Sequence, residues 1–202
     1  MVLVGCKAPD FTSAAVLGNG EIINDFNFFE FTKGKKSVLF FYPMDFTFVC
    51  PSELIAFDKR FHLFKEKGVE VIGVSIDSQF SHNAWRKIAI KDGGIGPVKY
   101  PLVADIKHEI CKGYGVEYSV EGVAFRASFL IDENQIIRHQ VINDLPLGRD
   151  IDEMLRMVDA LNFHEQNGEV CPAQWKEGKT GMKASPIGVA QFLSKYIKDL
   201  DR

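Results

Sequence analysis

The chain has 202 residues, 46% of them hydrophobic and 12% aromatic, enough apolar surface for one domain with a sizeable core and a short appendage. Its net charge is −3 and its pI about 6.0, with no basic run, which argues against nucleic acid as a partner. No charged segment followed by an apolar one opens the chain at Met1, and no apolar run approaches the roughly 18 residues that a membrane span requires, so a soluble, cytoplasmic protein with no membrane partner is expected.

In chain order, Ala14–Leu17, Gly18-Asn19-Gly20 and Glu21–Ile23 read as an N-terminal hairpin with a glycine-containing turn. Phe26–Phe31 reads as an aromatic connection and Lys33–Lys36 as a solvated turn. The unbroken apolar run Val38–Tyr42 has the pattern of a strand buried on both faces, and Pro43, with no N–H to donate, ends its ladder. After a short loop, Pro51 suits the first turn of a helix in which Leu54, Phe57, Phe61 and Phe64 recur at spacings of three and four, up to a stop at Gly68. Val69–Ile76 reads as a second buried strand, and Asp77-Ser78 as the cap of a helix through Trp85.

Gly93, Gly94 and Gly96, followed by Pro97, form a loop; a phosphate-cradling reading fails because no Lys-Ser/Thr helix follows. Pro101–Asp105 is a short element, Lys107–Lys112 a turn or two of helix, and Phe125–Ile131 with Gln135–Asn143 an antiparallel pair. Asp150, with Glu153 three residues on, opens a helix bearing Ile151, Met154, Leu155, Val158 and Leu161. The apolar periodicity stops after Phe163, leaving a polar tail with Cys171, Trp175 and a weak helix over Ile187–Ile197. Alternating strands and helices, then a hairpin and a last helix, predict an α/β, thioredoxin-like layer over residues 1–165 and a C-terminal arm over 166–202.

Cys50 falls at the start of the helix that follows a central strand, beyond the strand's C-terminal end, where open α/β sheets place their chemistry. The free N–H groups and dipole of a helix N-terminus favour a thiolate, the reactive form of cysteine. Thr47, three residues upstream, offers a hydroxyl that donates to one oxygen and accepts from another, and Pro43 stiffens the loop and shields one side of the sulfur. The competing reading makes Cys50 a buried small hydrophobe. Cys6, Cys50, Cys111 and Cys171 are widely spaced with no CxxC, which argues against a disulfide framework. His62, His82, His108, His139 and His164 make no paired ligand spacing, so no zinc is expected.

Read together, Pro43-x-x-x-Thr47-x-x-Cys50 and the following Pro51-Ser52-Glu53 resemble the active-site signature of the peroxiredoxins, and Asp45–Glu53 as a whole resembles the typical 2-Cys branch. Lys7–Phe11, Gly93–Gly96 (with Ile95 where the family motif has Leu), Arg126 ahead of Phe129–Asp132, and Val170-Cys171-Pro172 extend the resemblance from about Lys7 to about Leu193. It implies a thiol peroxidase with no cofactor, metal or haem, in which Cys50 attacks a hydroperoxide in line and becomes a sulfenic acid. Thr47, Arg126 and the backbone N–H of Cys50 would steady the oxygens, with Glu53 orienting Arg126. On residue statistics alone, Arg126 is a surface strand charge and Glu53 an ordinary first-turn carboxylate.

The resemblance also makes Cys171 the resolving thiol, joined to Cys50 of another subunit in an obligatory homodimer, five of which form a decamer. Thioredoxin or a flavoprotein disulfide reductase would supply the electrons. Cys111 is then core and Cys6 a stray terminal thiol. Phe192-Leu193 stands where peroxide-sensitive relatives carry Tyr-Phe, implying a looser C-terminal helix and resistance to overoxidation. Two other classes compete: a holdase chaperone using Phe-rich oligomer surface, and a thioredoxin-like disulfide oxidoreductase, which lacks the C-x-x-C partner it would need.

Overall fold

A computed structural model describes residues 1–198 of the protein. The chain divides into two compact units, Met1–Ile151 and the remainder from Asp152.

The first unit opens with the hairpin β1 (Thr12–Val16) and β2 (Ile22–Asn27), paired antiparallel. The Phe26–Phe31 stretch is more than a connection. Phe26 and Asn27 complete β2, and the Asn27 side chain accepts from Glu30 N at 2.8 Å to cap a one-turn helix, α1 (Phe28–Phe31). An amide at that position offers the backbone a turn instead of a continued strand.

The apolar run becomes β3 (Lys36–Phe41), which lies between β4 (Val69–Ser75), parallel to it, and β8 (Arg126–Ile131), antiparallel to it. Leu39 and Phe41 join a buried cluster with Ile72, Val74, Tyr114 and Phe129. Phe40 is also fully buried, and its ring stacks at 4.2 Å on Phe57 of α2 (Cys50–Glu66). A strand apolar without interruption therefore has both faces covered, each large side chain contributing about 1.5–3 kcal/mol by burial. Gly73 on β4 makes room for that stack, since a Cβ there would lie 2.8 Å from the Phe40 ring.

β5 (Leu102–Ala104) and β9 (Ile137–Asn143) complete a seven-stranded mixed sheet in the order β2-β1-β5-β4-β3-β8-β9. α3 (Gln79–Arg86) starts at Ser78, whose hydroxyl accepts from Ser81 N; the neighbouring Asp77 takes no part in the cap and turns to the loop after β3. α4 (Glu109–Gly113) leads into a ribbon of β6 (Glu117–Tyr118) and β7 (Val123–Ala124), absent from the sequence reading because two-residue strands carry no period. The architecture is the expected α/β thioredoxin-like one with an N-terminal hairpin.

The second unit holds α5 (Ile151–Asn167) from Asp152 onward and α6 (Pro186–Tyr196), the latter capped by Ser185 and opened by Pro186. Between them, Val170 and Met182 exchange two backbone hydrogen bonds of 2.9 Å, and the buried Trp175 packs 4.8 Å from the Phe163 ring. Among the described residues, no helix is long and apolar enough to cross a membrane.

Candidate active site

The β3 ladder ends with Tyr42 N donating to Val74 O at 3.1 Å, and the buried Pro43 turns the chain into a loop. Phe46 in that loop holds a left-handed backbone (φ 58°), which costs a non-glycine residue about 1–2 kcal/mol. A buried polar network holds the loop in place. The Tyr42 hydroxyl donates to Asp45 Oδ1 at 2.8 Å, and His82 Nδ1 lies 2.8 Å from Asp45 Oδ2. Asp45 N donates to Asp77 Oδ2 at 2.7 Å, an oxygen that also accepts from Ser75 Oγ. The strain at Phe46 is thus offset by several hydrogen bonds, two of them to a carboxylate with no exposed surface. Asp45→Ala would leave the Tyr42 hydroxyl and His82 buried without their acceptor, and is expected to destabilise the protein by about 3 kcal/mol in chemical denaturation. An unchanged midpoint would show that the loop is held by something else.

Cys50 is the first residue of α2, with Val49 as a cap that supplies no side-chain acceptor and Pro51 in the first turn. Its side chain is fully buried, whereas Phe48 two residues earlier is 96% exposed. Arg126, the first residue of β8, points its guanidinium at the thiol: Nη1 donates to Cys50 Sγ at 3.3 Å and to Glu53 Oε2 at 2.8 Å, while Nε donates to Leu145 O at 2.6 Å. Glu53, one helical turn beyond Cys50, is buried as well. The spacing of three residues on α2 brings its carboxylate beside the sulfur and under Arg126. Cys50, Glu53 and Arg126 therefore meet in one cluster, and Arg126 is no surface charge: it is only 4% exposed.

A second arginine, not singled out in the sequence, completes the cluster. Arg149 donates from both its backbone N (3.0 Å) and its Nε (2.8 Å) to Glu53 Oε1. Its Nη1 reaches Phe41 O, Ala127 O and Ser128 Oγ, and its guanidinium lies over the Phe40 and Phe57 rings at 5.3 and 5.9 Å. Burial would push the Glu53 carboxyl up, but Arg149 first and then Arg126 outweigh it and hold it below its ordinary range. Burial likewise disfavours the Arg126 cation, yet its contacts with Cys50 and Glu53 keep its pKa above the usual arginine value. Only Arg149's place just before a helix marked it in the sequence, and an exposed charge would look the same.

Thr47 is half-buried and its hydroxyl donates to Met44 O at 2.8 Å, which leaves the oxygen as an acceptor toward any incoming O–H group. Cys171 belongs to the second unit, where its sulfur lies 3.4 Å from Ala160 O. Burial raises the Cys171 thiol pKa and Arg156 partly offsets the rise. Cys111 is buried in the core cluster, its thiol pushed up to about 12 by burial and then by Asp105, and Cys6 is exposed.

Residues 4–140 match the model of the AhpC/TSA family, and residues 160–195 that of the C-terminal domain of 1-Cys peroxiredoxin. Alkyl hydroperoxide reductase C of Buchnera aphidicola from Schizaphis graminum is 58% identical over 197 residues, covering 98% of this chain and 100% of that protein. The protein of the same name from Helicobacter pylori strain 26695 is 54% identical over 194 residues, covering 96% of this chain and 98% of its own. Among solved structures, the reduced 2-Cys peroxiredoxin of Plasmodium vivax superposes with a TM-score of 0.92 at 46% identity, covering 96% of this chain and 100% of that one. With a cysteine, a carboxylate and two arginines gathered at the end of its central strand, and with this likeness along nearly its whole length, the chain belongs to the AhpC/TSA family and is a typical 2-Cys peroxiredoxin, a thiol-dependent peroxidase.

Proposed function

We propose that the protein reduces hydrogen peroxide and alkyl hydroperoxides with Cys50 as the peroxidatic residue. The observation that carries this reading is the Arg126 guanidinium, 3.3 Å from Cys50 Sγ and anchored by Glu53. The buried cluster holds two guanidiniums and one carboxylate, and its excess positive charge is directed at Cys50 Sγ through Arg126 Nη1. The thiolate attacks the terminal peroxide oxygen, the O–O bond breaks, and the departing hydroxide or alkoxide takes a proton to leave as water or alcohol. Sulfur is oxidised by two electrons to the sulfenic acid and the peroxide is reduced by the same two. Arg126 donates to the oxygens as charge moves onto the leaving group, and Thr47, its own proton bonded to Met44 O, accepts from the peroxide O–H. Pro43, buried at the end of β3, starts the loop that carries Thr47, and Glu53 acts through Arg126 and Arg149 as a positioning residue.

Cys171 of another subunit then condenses with the sulfenic acid, releasing water and forming the Cys50–Cys171 disulfide. Thioredoxin or a flavoprotein disulfide reductase returns the two electrons. This cycle makes a homodimer the minimal unit, and the exposed rings of Phe46 and Phe48 supply apolar surface for assembly of five dimers into a decamer. Residues 1–165 serve as the catalytic domain and 166–202 as the arm that carries the resolving thiol, in the cytoplasm and without a cofactor.

Reconstitution with NADPH and each candidate reductase, using hydrogen peroxide and cumene hydroperoxide in turn, tests the reading. Both peroxides should be consumed catalytically with at least one donor system. Cys171→Ser is expected to reduce one peroxide per subunit and then stall as a sulfenic acid that small thiols rescue. Oxidised wild-type protein should run as a covalent dimer on a non-reducing gel and collapse to monomer with reductant. An oxidised wild-type monomer would remove Cys171 from the intersubunit role.

A further inference from the structure

Among the described residues, two clusters of metal-ligating side chains lie outside the Cys50, Glu53, Arg126 and Arg149 group. The first, Asp45, Asp77 and His82, is consumed by the network that pins the loop, its carboxylate oxygens bonded to Tyr42, Ser75 and a backbone N–H. The second joins α4 to the β6–β7 ribbon: His108, Cys111 and Glu117 each bring one ligand atom within 4.8 Å of the other two. Spacing along the chain conceals it. His108 and Cys111 are a helical turn apart, but Glu117 returns to them only because the chain reverses at Gly115 (φ 65°) and pairs Glu117 with Ala124 across the ribbon.

The local geometry is that of an assembled donor set. His108 Nδ1 lies 2.9 Å from Glu117 Oε1, and the Cys111 thiol donates to the His108 carbonyl at 3.4 Å. His108 adopts a left-handed backbone (φ 59°, ψ 19°), and its side chain turns to Glu117 without capping α4. The sulfur is buried, while the His108 and Glu117 side chains are 24% and 18% exposed, giving the cluster a closed floor and an open mouth. Lys112 Nζ, 3.6 Å from Glu117, is mostly solvated and can withdraw.

Sulfur, imidazole and carboxylate together suit a borderline divalent cation such as Zn2+, and are a poor match to the all-oxygen shells of Ca2+ and Mg2+. At typical zinc bond lengths the donors of a tetrahedral site stand about 3.3–3.7 Å apart, so small rotations of the two outer side chains close the present arrangement around an ion.

We propose that His108, Cys111 and Glu117 bind one Zn2+-class cation, with water in the fourth position, and so fasten α4 to the β6–β7 ribbon. Three donor bonds to the cation form, the Cys111 S–H proton passes to solvent, and no oxidation state changes. The site is separate from the peroxidase chemistry and supplies a structural or regulatory link within the first unit.

The full-length protein with Cys6, Cys50 and Cys171 changed to serine leaves Cys111 as the sole thiol and isolates the question. Titration with Co2+ should saturate at one equivalent, with a thiolate-to-cobalt charge-transfer band in the near ultraviolet and the visible bands of a tetrahedral ion, both removed by added Zn2+. His108→Asn, a residue that tolerates the left-handed backbone, and Glu117→Gln should each weaken Kd by more than the roughly 10–100-fold that loss of an outer partner costs. Cys111→Ser should abolish the charge-transfer band. Because that change falls in the core cluster, near-ultraviolet circular dichroism accompanies it, and if packing is lost the His108 and Glu117 variants decide. Absence of the band at stoichiometric Co2+, or an affinity unmoved by His108→Asn and Glu117→Gln, would overturn the proposal.

Discussion

Replacement of Cys50 by serine is expected to abolish peroxide reduction while leaving the fold in place. Serine keeps the shape of the first α2 position and can still accept from Arg126 Nη1, so the contacts among Glu53, Arg126 and Arg149 survive. What disappears is the nucleophile: an alcohol stays protonated at neutral pH and lacks the polarisable sulfur that attacks an O–O bond. The Cys111 thiol is held up at about 12, and the Cys171 thiol is raised by burial and has its only described hydrogen-bond contact with Ala160 O. Turnover should therefore fall to the level of buffer, with the melting temperature and circular dichroism close to wild type. Catalysis persisting in the serine variant would move the chemistry to another cysteine.

The stretch Val38–Glu53 was legible because each of its features is local. An apolar run makes a strand buried on both faces, proline ends its ladder, and a second proline opens the helix that begins at Cys50. Arg126 was legible only through its family context, since a charge at the start of a strand looks like surface until Leu145, Cys50 and Glu53 are seen around it. Arg149 escaped altogether: its partner Glu53 is 96 residues away, and nothing in a Gly-Arg-Asp loop announces that the guanidinium will lie over Phe40 and Phe57. The network behind the loop was hidden for the same reason, because Asp45 and His82 meet across 37 residues and side-chain hydrogen bonds leave no period in a sequence. α1 and the β6–β7 ribbon were too short for their periods to register, and with the ribbon went the approach of Glu117 to His108 and Cys111. Periodicity reports burial along one element, and these features depend on which distant elements meet.

Arg126→Lys is expected to slow oxidation of Cys50 about 100- to 1,000-fold, the effect of losing one preorganised donor to developing negative charge. One guanidinium serves three acceptors here, Leu145 O through Nε and both Cys50 Sγ and Glu53 Oε2 through Nη1. An ammonium on a single stem cannot span them. It will settle on Glu53, the group with full charge, and leave the sulfur without its partner. The pH dependence separates lost geometry from altered ionisation. The Glu53 pKa is depressed in the folded protein, since Arg149 and Arg126 outweigh the effect of burial. Its stabilisation is therefore complete above the ordinary carboxylate range and is lost only as pH falls through the lower folded value. Between about pH 6 and 8 Glu53 stays ionised and a lysine at 126 stays protonated, so the deficit should be flat across that window. Stopped-flow measurement of sulfenic acid formation against pH would show it. A rate equal to wild type would detach Arg126 from the sulfur chemistry, and a deficit that recovers with pH would trace it to titration of another group.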